Sequence, residues 1–97
     1  MYERLLALRR DSEINAVWAK GLCIPGFDPA VWRRDTFGSL MKRSEYGNCC
    51  EYGWEIDHIR PTSMLGADTL FNKQPLNWKN NRKKSDNTIS GMLGGII

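Results

Sequence analysis

Histidine occurs once in this chain, at His58, and cysteine only three times, at Cys23, Cys49 and Cys50. Two of the cysteines are adjacent and no Cys-x-x-Cys pair exists, so neither a disulfide framework nor a structural zinc is expected. Any imidazole chemistry must be built on His58. No apolar run approaches the roughly eighteen residues of a membrane span. No basic start followed by an apolar stretch and a small-residue cleavage site opens the chain, so it is expected to be soluble, intracellular and cytoplasmic. No internal repeat is visible. Ninety-seven residues leave room for one domain, 1–97, that buries only about two-thirds of its unfolded surface. A large multidomain enzyme is not expected.

What is present is ordinary in amount and uneven in placement. Four Trp, three Phe and three Tyr supply the large side chains of one modest core. The formal charge is only +3, but residues 59–87 hold six basic residues (Arg60, Lys73, Lys79, Arg82, Lys83 and Lys84) against Asp68 and Asp86. The remainder holds eight basic and nine acidic residues. The whole positive excess therefore follows His58, where a polyanion would sit. The bland alternative is a solvated basic helix face.

Spacing gives an α+β reading. Tyr2, Leu5 and Leu6 recur at helical intervals, as do Ile14, Val17 and Trp18, with Asp11 or Ser12 able to cap the second set and Gly21 to end it. One broken helix or two helices are expected over about 2–20, their apolar faces serving as core or as a dimer surface. Asp28-Pro29 supplies a cap and a first-turn proline for a short helix carrying Val31, Trp32 and Arg34, so the helical part extends over 1–35. Residues 38–43 read as a short strand. Trp54 to His58 and Gln74 to Asn77 read as the two strands of a hairpin, with Pro75 tolerable near an edge. Between them, residues 60–71 form a loop of a length that is more often functional than idle. Asn77 or a neighbour caps a helix running through Asn81 to about Ser85. The apolar, glycine-rich tail, 88–97, is expected to fray or to pack on a neighbour.

The strongest chemical signal is Trp54-Glu55-Ile56-Asp57-His58-Ile59 followed by Asn72 and Asn81, which places a carboxylate beside the sole imidazole. That combination suits one metal ion and one general base. In a regular strand Glu55 and Asp57 share one face while Ile56 and His58 take the other. Asp57 and His58 can act together only if the strand ends or bends near His58, and Pro61 favours such an ending.

These residues resemble the HNH endonuclease motif in its H-N-N variant. The Asp57-His58 pair, the fourteen-residue step to Asn72, the nine-residue step to Asn81 and the run Asn81-Arg82-Lys83-Lys84-Ser85-Asp86-Asn87 are also similar to the HNH domain of the CRISPR effector nucleases. Trp32-Arg33-Arg34-Asp35, Tyr46-Gly47-Asn48 and Tyr52-Gly53-Trp54 are similar to small stand-alone bacterial or phage HNH proteins. Many HNH proteins carry a zinc ribbon around the site, which this chain lacks. Its hairpin is expected to be held by packing among Trp54, Trp78, Ile56 and Leu76.

The resemblance implies a ββα-metal (His-Me finger) hairpin and helix over about 52–87, and a nuclease that hydrolyses DNA phosphodiesters by water attack. It implies that His58 is the general base, a role suited to an imidazole. Asp57 and Asn81 become the metal ligands, and Asn72 ties down the loop. One divalent ion is implied, Mg²⁺ first with Mn²⁺ as an alternative, because the donors are hard oxygens. Lys79, Arg82, Lys83 and Lys84 would meet backbone phosphates, and Arg60 the scissile or an adjacent one. The expected partner is DNA, with RNA open. The expected product is a nick of low sequence selectivity, made by a monomer or by a homodimer through the N-terminal helices.

Each role has a rival. Asn80 competes with Asn81, and the match of the Asn72 step and of Lys84 to the family pattern favours Asn81. Glu55 is a metal ligand, a support for one, or a structural salt-bridge partner, the last being simplest. A catalytically silent nucleic-acid-binding module or accessory subunit on the same scaffold is the alternative function. A zinc-stapled interaction domain would have only Cys23, Cys49, Cys50 and His58 as soft ligands.

Overall fold

The computed structural model describes residues 2–94, with side chains as far as residue 86. Residues 95–97, and the side chains of the tail on which its expected packing depends, lie outside the described residues. The elements are α1 (Tyr2–Trp18), β1 (Trp32–Arg34), β2 (Leu40–Lys42), β3 (Trp54–His58), β4 (Lys73–Asn77) and α2 (Trp78–Gly94). β1 and β2 form one antiparallel pair and β3 and β4 another. Two helices with two small antiparallel sheets make an α+β fold compatible with an HNH-type arrangement.

α1 is continuous, where a break near Asp11 and Ser12 was expected. Leu, Ala, Arg and Glu around that point are strong helix formers, and two weaker residues cost less than the backbone bonds a break would forfeit. Only its second half is anchored: Ile14, Val17 and Trp18 are buried, while Tyr2, Leu5, Leu6 and Leu8 are exposed. The helix closes with tightened bonds, Lys20 N–H to Val17 O at 3.0 Å and Gly21 N–H to Trp18 O at 2.9 Å.

The short helix expected near Val31 is absent. Asp28 does cap locally, its Oδ1 accepting the Ala30 N–H at 2.9 Å. The chain then enters β1, because Trp32–Arg34 finds β2 on one side and Arg34 exchanges backbone bonds with Leu22 at 2.8 and 2.9 Å. Strand pairing supplies more backbone bonds than a single helical turn could. The helical part therefore ends with α1, and does not extend to residue 35.

Trp54, at the start of β3, is fully buried. Its ring meets Trp18 from α1 at 5.1 Å and the edge of Tyr46 at 4.9 Å. Together with Ile14, Val17 and Met41 this is the core, and Ile56 packs against it. Leu76 is buried, as expected. Trp78 is only half-buried, its indole N–H donating to Cys50 O at 2.7 Å, so Trp18 and not Trp78 is the aromatic partner of Trp54.

Asp35 fastens the β1–β2 pair to the β4–α2 corner. It is buried, and its carboxylate accepts four hydrogen bonds: from Phe37 N–H at 3.0 Å, Ser39 N–H at 2.9 Å, Asn77 N–H at 3.0 Å and Asn80 Nδ2 at 2.8 Å. A buried carboxylate is tolerable only when its oxygens are so occupied. Asn77 in turn caps α2, its Oδ1 accepting the Lys79 N–H at 3.0 Å. α2 then runs past the expected end near Ser85 to Gly94, so the backbone of residues 88–94 is helical and not a separate tail.

Candidate active site

β3 pairs with β4 in the register Asp57 opposite Gln74 and His58 opposite Lys73, and His58 is its last residue. One further backbone bond, Ile59 N–H to Asn72 O at 2.7 Å, precedes the turn at Arg60-Pro61. The strand thus ends where the Asp57-His58 pair requires. Asp57, His58 and Asn81 line one cleft of about 350 Å³, together with Ile56, Pro61, Thr62, Ser63, Lys84 and Ser85.

The carboxylate faces α2. Asp57 Oδ2 accepts from Gln74 Nε2 at 3.0 Å, across the hairpin, and from Lys84 Nζ at 2.6 Å. The same ammonium donates to the carbonyls of His58 at 2.6 Å and Ile59 at 3.0 Å, so Lys84 clamps the strand end to the helix. Glu55, on the same face, accepts from Asn81 Nδ2 at 3.0 Å and pairs with Arg82 at 3.2 Å. Because a carboxylate only accepts, Glu55 fixes which end of the Asn81 amide it faces and leaves the amide oxygen on the other side. Asn80 is turned to Asp35 and Ser39 instead.

Asn72 ties the loop down from both ends. Its Oδ1 accepts the Arg60 N–H at 2.9 Å, and its Nδ2 donates to Arg60 O at 2.9 Å and Ala67 O at 2.8 Å. Gly66 lies so close beneath that a Cβ there would stand 1.8 Å from Arg60 O, so only glycine fits. Leu65 beside it adopts the left-handed conformation, φ 65°, which closes the turn over Thr62–Met64.

His58 meets a partner that nothing in the motif spacing signals. Its Nε2 lies 2.8 Å from Asp68 Oδ1. Asp68 is also 3.1 Å from Lys73 Nζ, which stands 2.5 Å from Glu13 of α1. The His58 hydrogen bond, and then the Lys73 ammonium, hold the Asp68 carboxyl below the usual carboxylate range. The bond to Glu13 raises the Lys73 ammonium above its ordinary value, against the opposing effect of burial. Gln74 was legible in principle, since pairing β3 with β4 sets it opposite Asp57.

The cations expected at phosphates divide. Lys79, Arg82 and Lys83 are exposed. Lys79 lies beside Trp78 and borders a second depression with Ser39, Glu51 and Tyr52, away from the Asp57 cleft. Arg60 donates to Met64 O at 2.8 Å, Lys84 to Asp57 and Arg82 to Glu55, so these three have structural partners. Among the described residues no group of three or more His, Cys, Asp or Glu side chains converges as a metal centre. The three cysteines are free and exposed, and the bond to Glu45 pushes the Cys50 thiol up.

The site is thus an antiparallel hairpin with α2 against it, bearing Asp57 and His58 at a strand end and Asn81 on the facing helix. Residues 49–90 match the family model described as HNH endonuclease, so that segment, from before β3 into α2, carries the family's signature. No curated protein and no solved structure matches the chain.

Proposed function

We propose that the chain is a metal-dependent HNH endonuclease that hydrolyses DNA phosphodiesters through a ββα-metal site. The observation that carries this reading is the meeting of Asp57, His58 and Asn81 at one cleft inside the segment that matches the family.

In this reading His58 takes the proton from the attacking water. Its position at the strand end, 30% exposed, leaves the imidazole open to the cleft while Lys84 holds its carbonyl and Asn72 holds the backbone of Arg60 two residues on. Asp57 and the amide oxygen of Asn81 would hold the divalent ion. They make an all-oxygen donor set with a single carboxylate, which fits a hard ion such as Mg²⁺ that keeps most of its waters. When bound, the ion supplies charge stabilisation for the phosphoryl oxygens and the leaving alkoxide. Gln74 and Lys84 orient the Asp57 carboxylate, and Glu55 orients the Asn81 amide. Asn72 is a positioning residue, keeping the loop and the backbone beside His58 in register. Lys79, Arg82 and Lys83 meet phosphates along the strand, Lys84 meets the phosphate within the cleft, and Arg60 stiffens the loop.

The cations of α2 would meet backbone phosphates, which carry no sequence information, and this supports low sequence selectivity. One site cuts one strand, so the expected product is a nick. The test is incubation of supercoiled plasmid with the protein and Mg²⁺ or Mn²⁺, followed by end analysis. Nicked circles bearing 5′-phosphates that vanish with chelator support the reading. DNA binding without cleavage under any divalent metal instead favours a silent binding module.

A further inference from the structure

We propose that Asp68 is the positioning residue for His58, and that Lys73 and Glu13 carry this control into α1, outside the segment that matches the family. The proposal rests on reading His58 as the base. A carboxylate can only accept, so the 2.8 Å contact with Asp68 Oδ1 requires the proton of a neutral imidazole to sit on Nε2. The lone pair then belongs to Nδ1, which becomes the atom that accepts a proton from water.

Asp68 cannot hold itself in place. Its side chain is 74% exposed, in the loop between the single turns at Thr62–Met64 and Leu70–Asn72. What fixes it is Lys73, whose side chain is 12% exposed and which spans Asp68 Oδ1 at 3.1 Å and Glu13 Oε1 at 2.5 Å. A second tether acts beside it: Lys20, just past α1, donates to the carbonyls of Leu70 and Lys73. The end of the loop is therefore attached to α1 and its exit at two points, and α1 is itself anchored in the core through Trp18 and Trp54. The His58 hydrogen bond and then Lys73 lower the Asp68 carboxyl, and the bond to Glu13 and then Asp68 raise the Lys73 ammonium.

His58 is the chain's only histidine, so its ring nitrogens can be observed by ¹⁵N NMR without assignment. In the metal-free protein at mildly alkaline pH the natural chain should show the Nε2–H tautomer, and Asp68→Ala a mixture or the other form. Plasmid nicking should fall about 10- to 100-fold in kcat for Asp68→Ala with KM nearly unchanged, the usual effect of losing such a support. Asp68→Glu should recover part of it. Glu13→Gln, remote from the cleft, should lower kcat several-fold, and that loss should disappear in the Asp68→Ala background. An unchanged tautomer in Asp68→Ala, or additive losses for Glu13→Gln and Asp68→Ala, overturns the proposal. If the natural chain binds DNA and never nicks, the nuclease reading fails, while the tautomer shift still decides whether Asp68 orients His58.

Discussion

Asn72 makes three hydrogen bonds from one side chain, all of them to the backbone of the loop that leaves His58. In Asn72→Ala one N–H and two carbonyls lose their partner. At a net contribution of about 1 kcal/mol each, the loss is about 2–3 kcal/mol, reduced toward the lower figure because water can reach this half-buried position. A domain of this size has on the order of 5–15 kcal/mol in all, so the variant should still fold. Asn72→Asp should be worse than Ala near neutral pH, because it keeps the acceptor toward Arg60 N–H but points a carboxylate oxygen at the carbonyls of Arg60 and Ala67. Acidification should narrow the gap, since a protonated carboxyl again donates. Denaturant unfolding measures the first effect. Single-turnover nicking measures the second, where misplacement of about 1 Å is expected to cost about 10²-fold. Natural nicking rates in Asn72→Ala, or an Asp variant as stable as Ala at neutral pH, would refute the reasoning.

Asp35→Asn replaces an acceptor of four hydrogen bonds with a group that must turn an N–H toward donors, and should cost about 3 kcal/mol in urea unfolding. Gly66→Ala, whose Cβ would collide with Arg60 O, should slow nicking about 10²-fold while leaving the core intact by near-ultraviolet circular dichroism. The Glu13–Lys73–Asp68 chain sets a pH window. Asp68 is lowered, so its contribution is present above the ordinary carboxylate value and lost as pH falls through the lower folded value; Lys73 is raised, so its contribution is present below the ordinary lysine value and lost as pH rises through the higher one. The difference in melting temperature between the natural chain and Lys73→Met should therefore be flat from about pH 4 to pH 10 and shrink outside it.

The hairpin, α2 and the cleft trio were legible because their signals are local. Alternation and Pro61 mark the end of β3, the turn chemistry of 60–71 marks the loop, and the spacing of Asn72 and Asn81 carries the motif. The elements misread are those decided by distant partners. Residues 32–34 become β1 because Leu22 and β2 supply bonds that no local pattern encodes. The core partner of Trp54 comes from Trp18, thirty-six positions away. The bond from Lys84 to Asp57 was not legible either, because it depends on how α2 lies over the end of β3. Asp68 and Glu13 were invisible for the same reason: the fold of the loop brings Asp68 to His58, and the packing of α1 brings Glu13 to Lys73.

The central claim is that His58 acts as base in a metal-assisted cleft with Asp57 and Asn81, and it is tested most directly by nicking of supercoiled plasmid in Mg²⁺ by the natural chain beside His58→Ala. The account predicts metal-dependent nicking by the natural chain and a loss of about 10²- to 10⁴-fold in the variant, with DNA binding retained. Equal cutting by the two proteins would contradict it.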